Sequence, residues 1–240
     1  MNGKNFNHCK IMVVFALFIE RRFFLYIQPN IKIEERIRMQ ENELKYYQKI
    51  GNWDFSQIKC KTENLTEWDF YEKIKENTNE KSLCLDLGTG GGERVLKDYP
   101  EVGMVIATDF SEEMIKTAKE NAKKYPEKRV KFTKMNSLEM AFPDETFDLI
   151  SARHTIINAK QIYDCLVPGG TIVIRGVDQK DCWEIKKIFE RGQAYCDEIP
   201  ISQKDYFDLK EAGFKEIEKV EILQKDFSWY FIQVLIVWGE

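Results

Sequence analysis

Only two histidines occur in the 240 residues, His8 and His154, and none of the six cysteines forms a C-x-x-C pair. The close His/Cys spacing of a zinc site is missing, so no metal is expected. Cys84 and Cys165 lie inside apolar runs, where a thiol acts as a small hydrophobe; this usage fits a reducing, cytoplasmic setting. The apolar run from Ile11 to Ile19 is nine residues long and ends at Glu20-Arg21-Arg22. A bilayer span needs about 20 residues, so the run does not cross a membrane. Its Phe-Ile-Glu-Arg-Arg end also lacks the small-residue cleavage site of an export signal. There are no internal repeats or low-complexity tracts. With 43% hydrophobic and 32% charged residues but only 13 Gly and 6 Pro, the chain is neither collagen-like nor wholly disordered.

Charge is present in both signs and unevenly spread. Of 36 basic and 40 acidic side chains, residues 1–50 hold 9 and 5, leaving 27 and 35, a net −8, for the rest. That larger part repels phosphate backbones, so nucleic acid is a disfavoured partner.

Three stretches follow. Residues 1–38 form an extension of open status. Its apolar segments within residues 11–27, with the local positive charge, suit weak membrane-surface contact or a partner; alternatively Met39 is the true start. Residues 39–81 read as a helical cap, with helices over Ile33 to Ile50 and Thr66 to Glu76, the latter opened by a capping signal at Thr66. From residue 82 to 240, apolar strands alternate with helices. Strands are expected at Ser82 to Leu87, Met104 to Thr108, Val130 to Met135, Phe147 to Ser151 and Thr171 to Ile174. This alternation implies a doubly wound, mostly parallel sheet with its ligand edge where the strands end. Phe214 to Leu223 and Trp229 to Trp238, joined by a short link, read as a closing antiparallel hairpin.

The sharpest signal is Asp86-Leu87-Gly88-Thr89-Gly90-Gly91-Gly92, between the first of these strands and a helix. Glycines permit a tight turn and close approach to a ligand. A dinucleotide fingerprint would need G-x-G-x-x-G, but the third position is Glu93. An acid two residues before Gly88 would repel a pyrophosphate and suits an ammonium or sulfonium group. Asp109, 21 residues after Gly88 at the end of the next strand, can accept both hydroxyls of a ribose. Together these suggest a nucleoside carrying an amino-acid tail.

At these motifs the chain resembles the class I S-adenosylmethionine-dependent methyltransferases, over roughly residues 66–238. Asp86 to Gly92 looks like their first motif and Val105 to Ser111 their second. Phe142 to Ile150 resembles the entry to their fourth strand, and Leu166 to Ile174 the turn into their fifth. The resemblance implies a Rossmann-like, seven-stranded sheet and S-adenosyl-L-methionine as cofactor. It implies that Gly88, Gly90 and Gly92 line the methionine part, that Asp109 holds the ribose and that Met114 packs near the adenine, with Asp86, Thr89 and Phe110 also among the cofactor-binding residues. The position that normally offers a carboxylate to the adenine amino group holds Asn136, followed by Ser137, a departure that leaves an uncharged contact.

The loop Ser151-Ala152-Arg153-His154-Thr155 lacks the Asn/Asp-Pro-Pro-aromatic motif that holds a flipped base. It resembles the small-molecule branch, so a small acceptor is expected. Alternatives are a regulatory module that binds cofactor without turnover and an RNA methyltransferase. His154 is either the base or a hydrogen-bonded loop residue. Arg153 binds the cofactor carboxylate or an acidic acceptor, or pairs on the surface with Asp148 or another acid. Trp53 and Phe55 are a lid or packing anchors; Cys182, Trp183 and Trp229 are core or pocket wall.

Overall fold

The computed structural model describes residues 10–17, 60–64, 66–181, 183–190, 195 and 197–228. The strands are β1 (Lys10–Leu17), β2 (Cys60–Asn64), β3 (Leu83–Leu87), β4 (Met104–Asp109), β5 (Val130–Lys134), β6 (Phe147–Arg153), β7 (Leu166–Val177) and β8 (Glu216–Ser228). The helices are α1 (Phe70–Glu76), α2 (Glu93–Asp98), α3 (Glu112–Ala122), α4 (Ala159–Cys165), α5 (Trp183–Phe189) and α6 (Ile201–Ala212).

One sheet runs β2-β8-β1-β7-β6-β3-β4-β5. Every neighbouring pair is parallel except β2 with β8. From β3 the chain winds outward through β4 to β5, then returns to the other side of β3 for β6 and β7. The winding reverses beside β3, and in such sheets ligands bind outside the strand ends at that reversal.

The two-residue period of the strands divides the core. Leu85, Leu87, Ile150, Ala152, Ile172 and Ile174 face one side, with Ile162 of α4 and Leu209 of α6. Cys84, Leu149 and Val173 face the other, against Phe70 and Ile74 of α1, Val95 and Leu96 of α2, and Ile115 and Ala118 of α3. Strands buried on both faces need apolar residues at nearly every position, which is why they read as continuous runs. Asp86 and Ser151 break those runs and share the second face, since Asp86 is register partner of Ser151.

Three expectations are revised. The described strands number eight, because β1 and β2 come from stretches where no strand was expected. β1 lies between β7 and β8, with Ile11 beside Ile172 and Ile217, so the 1–38 extension is not wholly separate from the sheet. Its Ile-Met-Val-Val-Phe-Ala-Leu sequence has the β-branched, apolar character of an interior strand. Residues 18–27, the rest of the expected membrane-contact segment, lie outside the described residues. Second, the cap of α1 is Asp69, whose Oδ1 accepts from Tyr71 N at 2.8 Å and Glu72 N at 3.0 Å. Thr66 lies three residues too far out for that role. Third, β8 pairs in parallel with β1 and antiparallel with β2. The second strand of the expected hairpin, Trp229 to Trp238, the helix over Ile33 to Ile50, and Trp53, Phe55 and Cys182 all lie outside the described residues.

Phe147 anchors the end of β6 away from the ligand edge. It is 1% exposed and meets Phe142 edge-on, centroids 4.9 Å apart. Phe147→Ala is expected to destabilise the fold by about 3–5 kcal/mol through lost burial and the cavity left behind. Urea unfolding monitored by circular dichroism checks this.

Candidate functional site

The glycine turn leaves β3 at the reversal. Gly88, Gly90 and Gly92 have φ of 74°, 60° and 76°, a left-handed region costly for any residue with a Cβ. Gly88 N and Thr89 N both donate to Thr108 O on β4, at 2.9 Å. A Cβ on Gly88 would lie 2.7 Å from Thr155 Cβ, and one on Gly92 2.8 Å from the Phe132 ring. Space as well as φ therefore demands glycine at these two points.

The turn and the three loops after β4, β5 and β6 close into a ring. Gly90 N donates to Asp109 Oδ2 at 2.9 Å, and Ser111 N to Asp109 Oδ1 at 2.9 Å. Met135 N donates to Asp109 O at 3.0 Å, fixing the end of β5. Ser137 Oγ donates to Ile156 O at 2.7 Å, and Thr155 closes back on Gly88. The ring brings together the residues singled out from the glycine motif, Asp109, Asn136, Ser137 and the loop after β6.

Asp86 is 4% exposed, and its Oδ1 accepts from Ser151 Oγ at 2.6 Å. Burial pushes its carboxyl up to about 6, against the pull of Ser151, Thr89 and the Arg153 charge toward the ionised form. A folded-state value above the unfolded carboxylate range means that the folded chain binds the proton more tightly. The resulting stabilisation is complete below about pH 4 and is lost as pH rises through about 6. At neutral pH the fold thus keeps a charged acid at some cost in stability, and a cationic ligand would offset it. Burial likewise raises the Asp109 carboxyl, opposed by the N–H groups of Ser111, Gly90 and Phe110.

The remaining expected residues are also placed. Met114, in the first turn of α3, is 2% exposed, and Phe110 is half-buried. Asn136 Oδ1 accepts from Leu138 N at 3.1 Å, an Asx turn that already uses one of its two lone pairs. His154 takes a φ of 55°, and its backbone N–H donates to the backbone carbonyl of Arg175 at 2.8 Å. Arg153 ends β6 beside its register partner Arg175. Its pairing with Asp148 is ruled out, since Asp148 lies five residues back, ~16 Å along the strand, with Oδ2 accepting from Leu83 N. Trp183 packs against Tyr195 with centroids 5.5 Å apart.

Sequence reasoning missed four neighbours. Ser151 had a signal, a hydroxyl inside an apolar strand. Tyr71 and Arg175 had none, because only packing brings α1 and β7 to this edge. Burial and Arg153 lower the Arg175 guanidinium to about 10. Tyr71, with the Arg94 guanidinium 5.6 Å from its ring centroid, is raised by burial and held back by Arg153. Thr155 was within the quoted loop, but its contact with Gly88 depends on the fold. Among the described residues, no three His, Cys, Asp or Glu side chains converge as a metal site requires.

A parallel sheet with a left-handed glycine turn, a buried acid before it and a second acid after the next strand defines a nucleoside-binding α/β protein of the methyltransferase type. A family model described as a methyltransferase domain matches residues 78–221, more than half of the chain, and the chain belongs to that family. It is 24% identical over 181 residues to a demethylmenaquinone methyltransferase of Listeria welshimeri, covering 68% of this chain and 75% of the relative. It is 31% identical over 83 residues to a 2-phytyl-1,4-naphtoquinone methyltransferase of Trichormus variabilis, covering 33% of this chain and 36% of the relative. A solved S-adenosylmethionine-dependent methyltransferase from Aquifex aeolicus is 21% identical, with 61% of this chain and 79% of that one covered and a TM-score of 0.42. The chain is a class I methyltransferase with S-adenosyl-L-methionine as its cofactor, and the glycine cradle and the two acids fit that group.

The glycines of the turn are not equivalent. Gly92→Ala, at φ 76° and against Phe132, should lose at least about 1 kcal/mol of stability. Gly91→Ala, whose Cβ would meet only the flexible Glu93 carboxylate, should lose less. Thermal melts of the two variants compare them directly.

Proposed function

We propose that the chain transfers the methyl group of S-adenosyl-L-methionine to a small-molecule acceptor, a class to which the quinones named for its relatives belong. The observation that carries this reading is the packing of Thr155 on Gly88, which sets Arg153 and His154 beside the glycine turn. The cofactor, when bound, supplies an activated sulfonium methyl. What remains for the protein is positioning, and removal of a proton where the acceptor is acidic.

In this reading Asp86 faces the ammonium of the methionine part, and the turn from Gly88 through Thr89 and Gly90 to Gly92 follows its backbone. Asp109 takes the ribose hydroxyls beside Phe110, with Met114, Asn136 and Ser137 toward the adenine. The Asp109 carboxylate accepts from the backbone N–H groups of Gly90, Ser111 and Phe110, which fixes its plane while leaving room to accept from a hydroxyl. Arg153 supports the cofactor carboxylate, and His154 is the base. The left-handed backbone at His154 turns it out of the strand, as a residue reaching toward an acceptor requires.

Two variants test these roles. Asp109→Ala should weaken S-adenosylhomocysteine binding by about 1.5–3 kcal/mol, the value of a hydrogen bond to a charged group; unchanged affinity by calorimetry would remove the ribose assignment. His154→Asn, chosen because Asn tolerates positive φ, should lower turnover about 10²–10⁴-fold while cofactor affinity stays within a few-fold. The assay follows isotopically labelled methyl from donor into a small-molecule extract, and full turnover of the variant would return His154 to a loop role. Label in RNA alone would replace the small-acceptor reading.

A further inference from the structure

The acid before the glycine turn is held by a buried chain of hydroxyls. Ser151 is 0% exposed, Tyr99 2% and Asp86 4%. Ser151 Oγ lies 2.6 Å from Asp86 Oδ1, and Tyr99, at the end of α2, places its hydroxyl 3.2 Å from the same Oγ. A serine hydroxyl has a single proton, and an ionised carboxylate only accepts. With Asp86 ionised, the Ser151 proton must therefore point to Oδ1 and Tyr99 must donate to Ser151. Ser151 thus fixes Oδ1 of the carboxylate, and the Thr89 side chain also favours its ionised form.

We propose that Ser151, braced by Tyr99, is a positioning residue that keeps Asp86 ionised and turned toward the cationic tail of the cofactor. The proposal rests on the reading that Asp86 faces that tail. The same chain accommodates the protonated acid. The Asp86 O–H then donates to Ser151 Oγ, and the Ser151 hydroxyl swings to Leu85 O, 3.4 Å away. The two arrangements differ by a hydroxyl rotation and a proton, so the pair can follow the ligand without repacking the core.

Other groups around Asp86 set the balance. Arg153 on β6 and Thr89 in the turn favour the carboxylate, while Asp109 on β4 and burial oppose it. Cys84 on β3 is pushed up to about 12, and Tyr99 and Tyr71 are raised by burial, so all three stay neutral in the working range. Asp86, near 6, titrates where binding can be measured. If the hydroxyls only satisfied one another, truncating them would lower stability and leave that titration where it is.

The test is calorimetric titration of S-adenosylhomocysteine into the full chain from pH 5 to 9. It is paired with carboxyl ¹³C resonance of Asp86 in the ligand-free protein, assigned through Asp86→Asn. Wild-type affinity should fall as pH drops through about 6. Ser151→Ala, which removes only one atom, should move both midpoints up by about 1 pH unit and bind within a few-fold of wild type at pH 8.5. Tyr99→Phe should move them the same way by less. Unmoved midpoints in Ser151→Ala overturn the proposal, whatever happens to its melting temperature. A wild-type chain that fails to bind S-adenosylhomocysteine at any pH overturns the cofactor reading. The ligand-free titration then decides separately whether Ser151 controls Asp86.

Discussion

The contact on which the site depends is that between Gly88 and Thr155. Gly88 must turn left-handed to leave β3, and Thr155 fills the volume that a side chain there would take. This contact couples the loop after β6 to the turn after β3, so whatever binds along the glycines lies beside Arg153 and His154. The hydrogen bonds from Gly90 to Asp109, Met135 to Asp109 and Ser137 to Ile156 extend the coupling across four strand ends. A donor and an acceptor gripped by one rigid ring meet at a fixed angle, which an in-line methyl transfer needs more than any reactive side chain.

The electrostatics follow the same plan. The larger part of the chain is acidic, yet the cleft edge sets two acids, Asp86 and Asp109, near Arg153 and its neighbour Arg175. A zwitterionic tail with an adjacent sulfonium suits such a mixed field better than a polyphosphate does. Burial of Asp86 works against folding at neutral pH, and a cationic ligand beside it would offset that cost.

Much of this was legible in the residues. β3, β4, β6 and β7 of the parallel sheet announced themselves as apolar runs because strands covered on both faces have little polar side to show, whereas the edge strand β5 alternates and buries only Phe132. The glycine turn was legible because positive φ and close contact leave glycine as the only choice at Gly88 and Gly92. What stayed hidden depends on register or on separation. The Ile11 run has the composition of an interior strand, but the nearest alternating pattern begins some 70 residues later, so its place beside β7 could not be read locally. Ser151 meets Asp86 only because β6 and β3 pair in that register. Asp69 displaced Thr66 as the cap because the choice is settled by one turn of backbone, finer than the periodicity resolves.

The central claim is that this cradle takes a nucleoside with an amino-acid tail. Its most direct test is calorimetry at pH 8 with S-adenosylhomocysteine, NADH and ATP offered separately to the same preparation. The account predicts saturable one-to-one binding of S-adenosylhomocysteine, with neither NADH nor ATP competing. Equal or tighter binding of NADH or ATP, or no binding of S-adenosylhomocysteine, would contradict it.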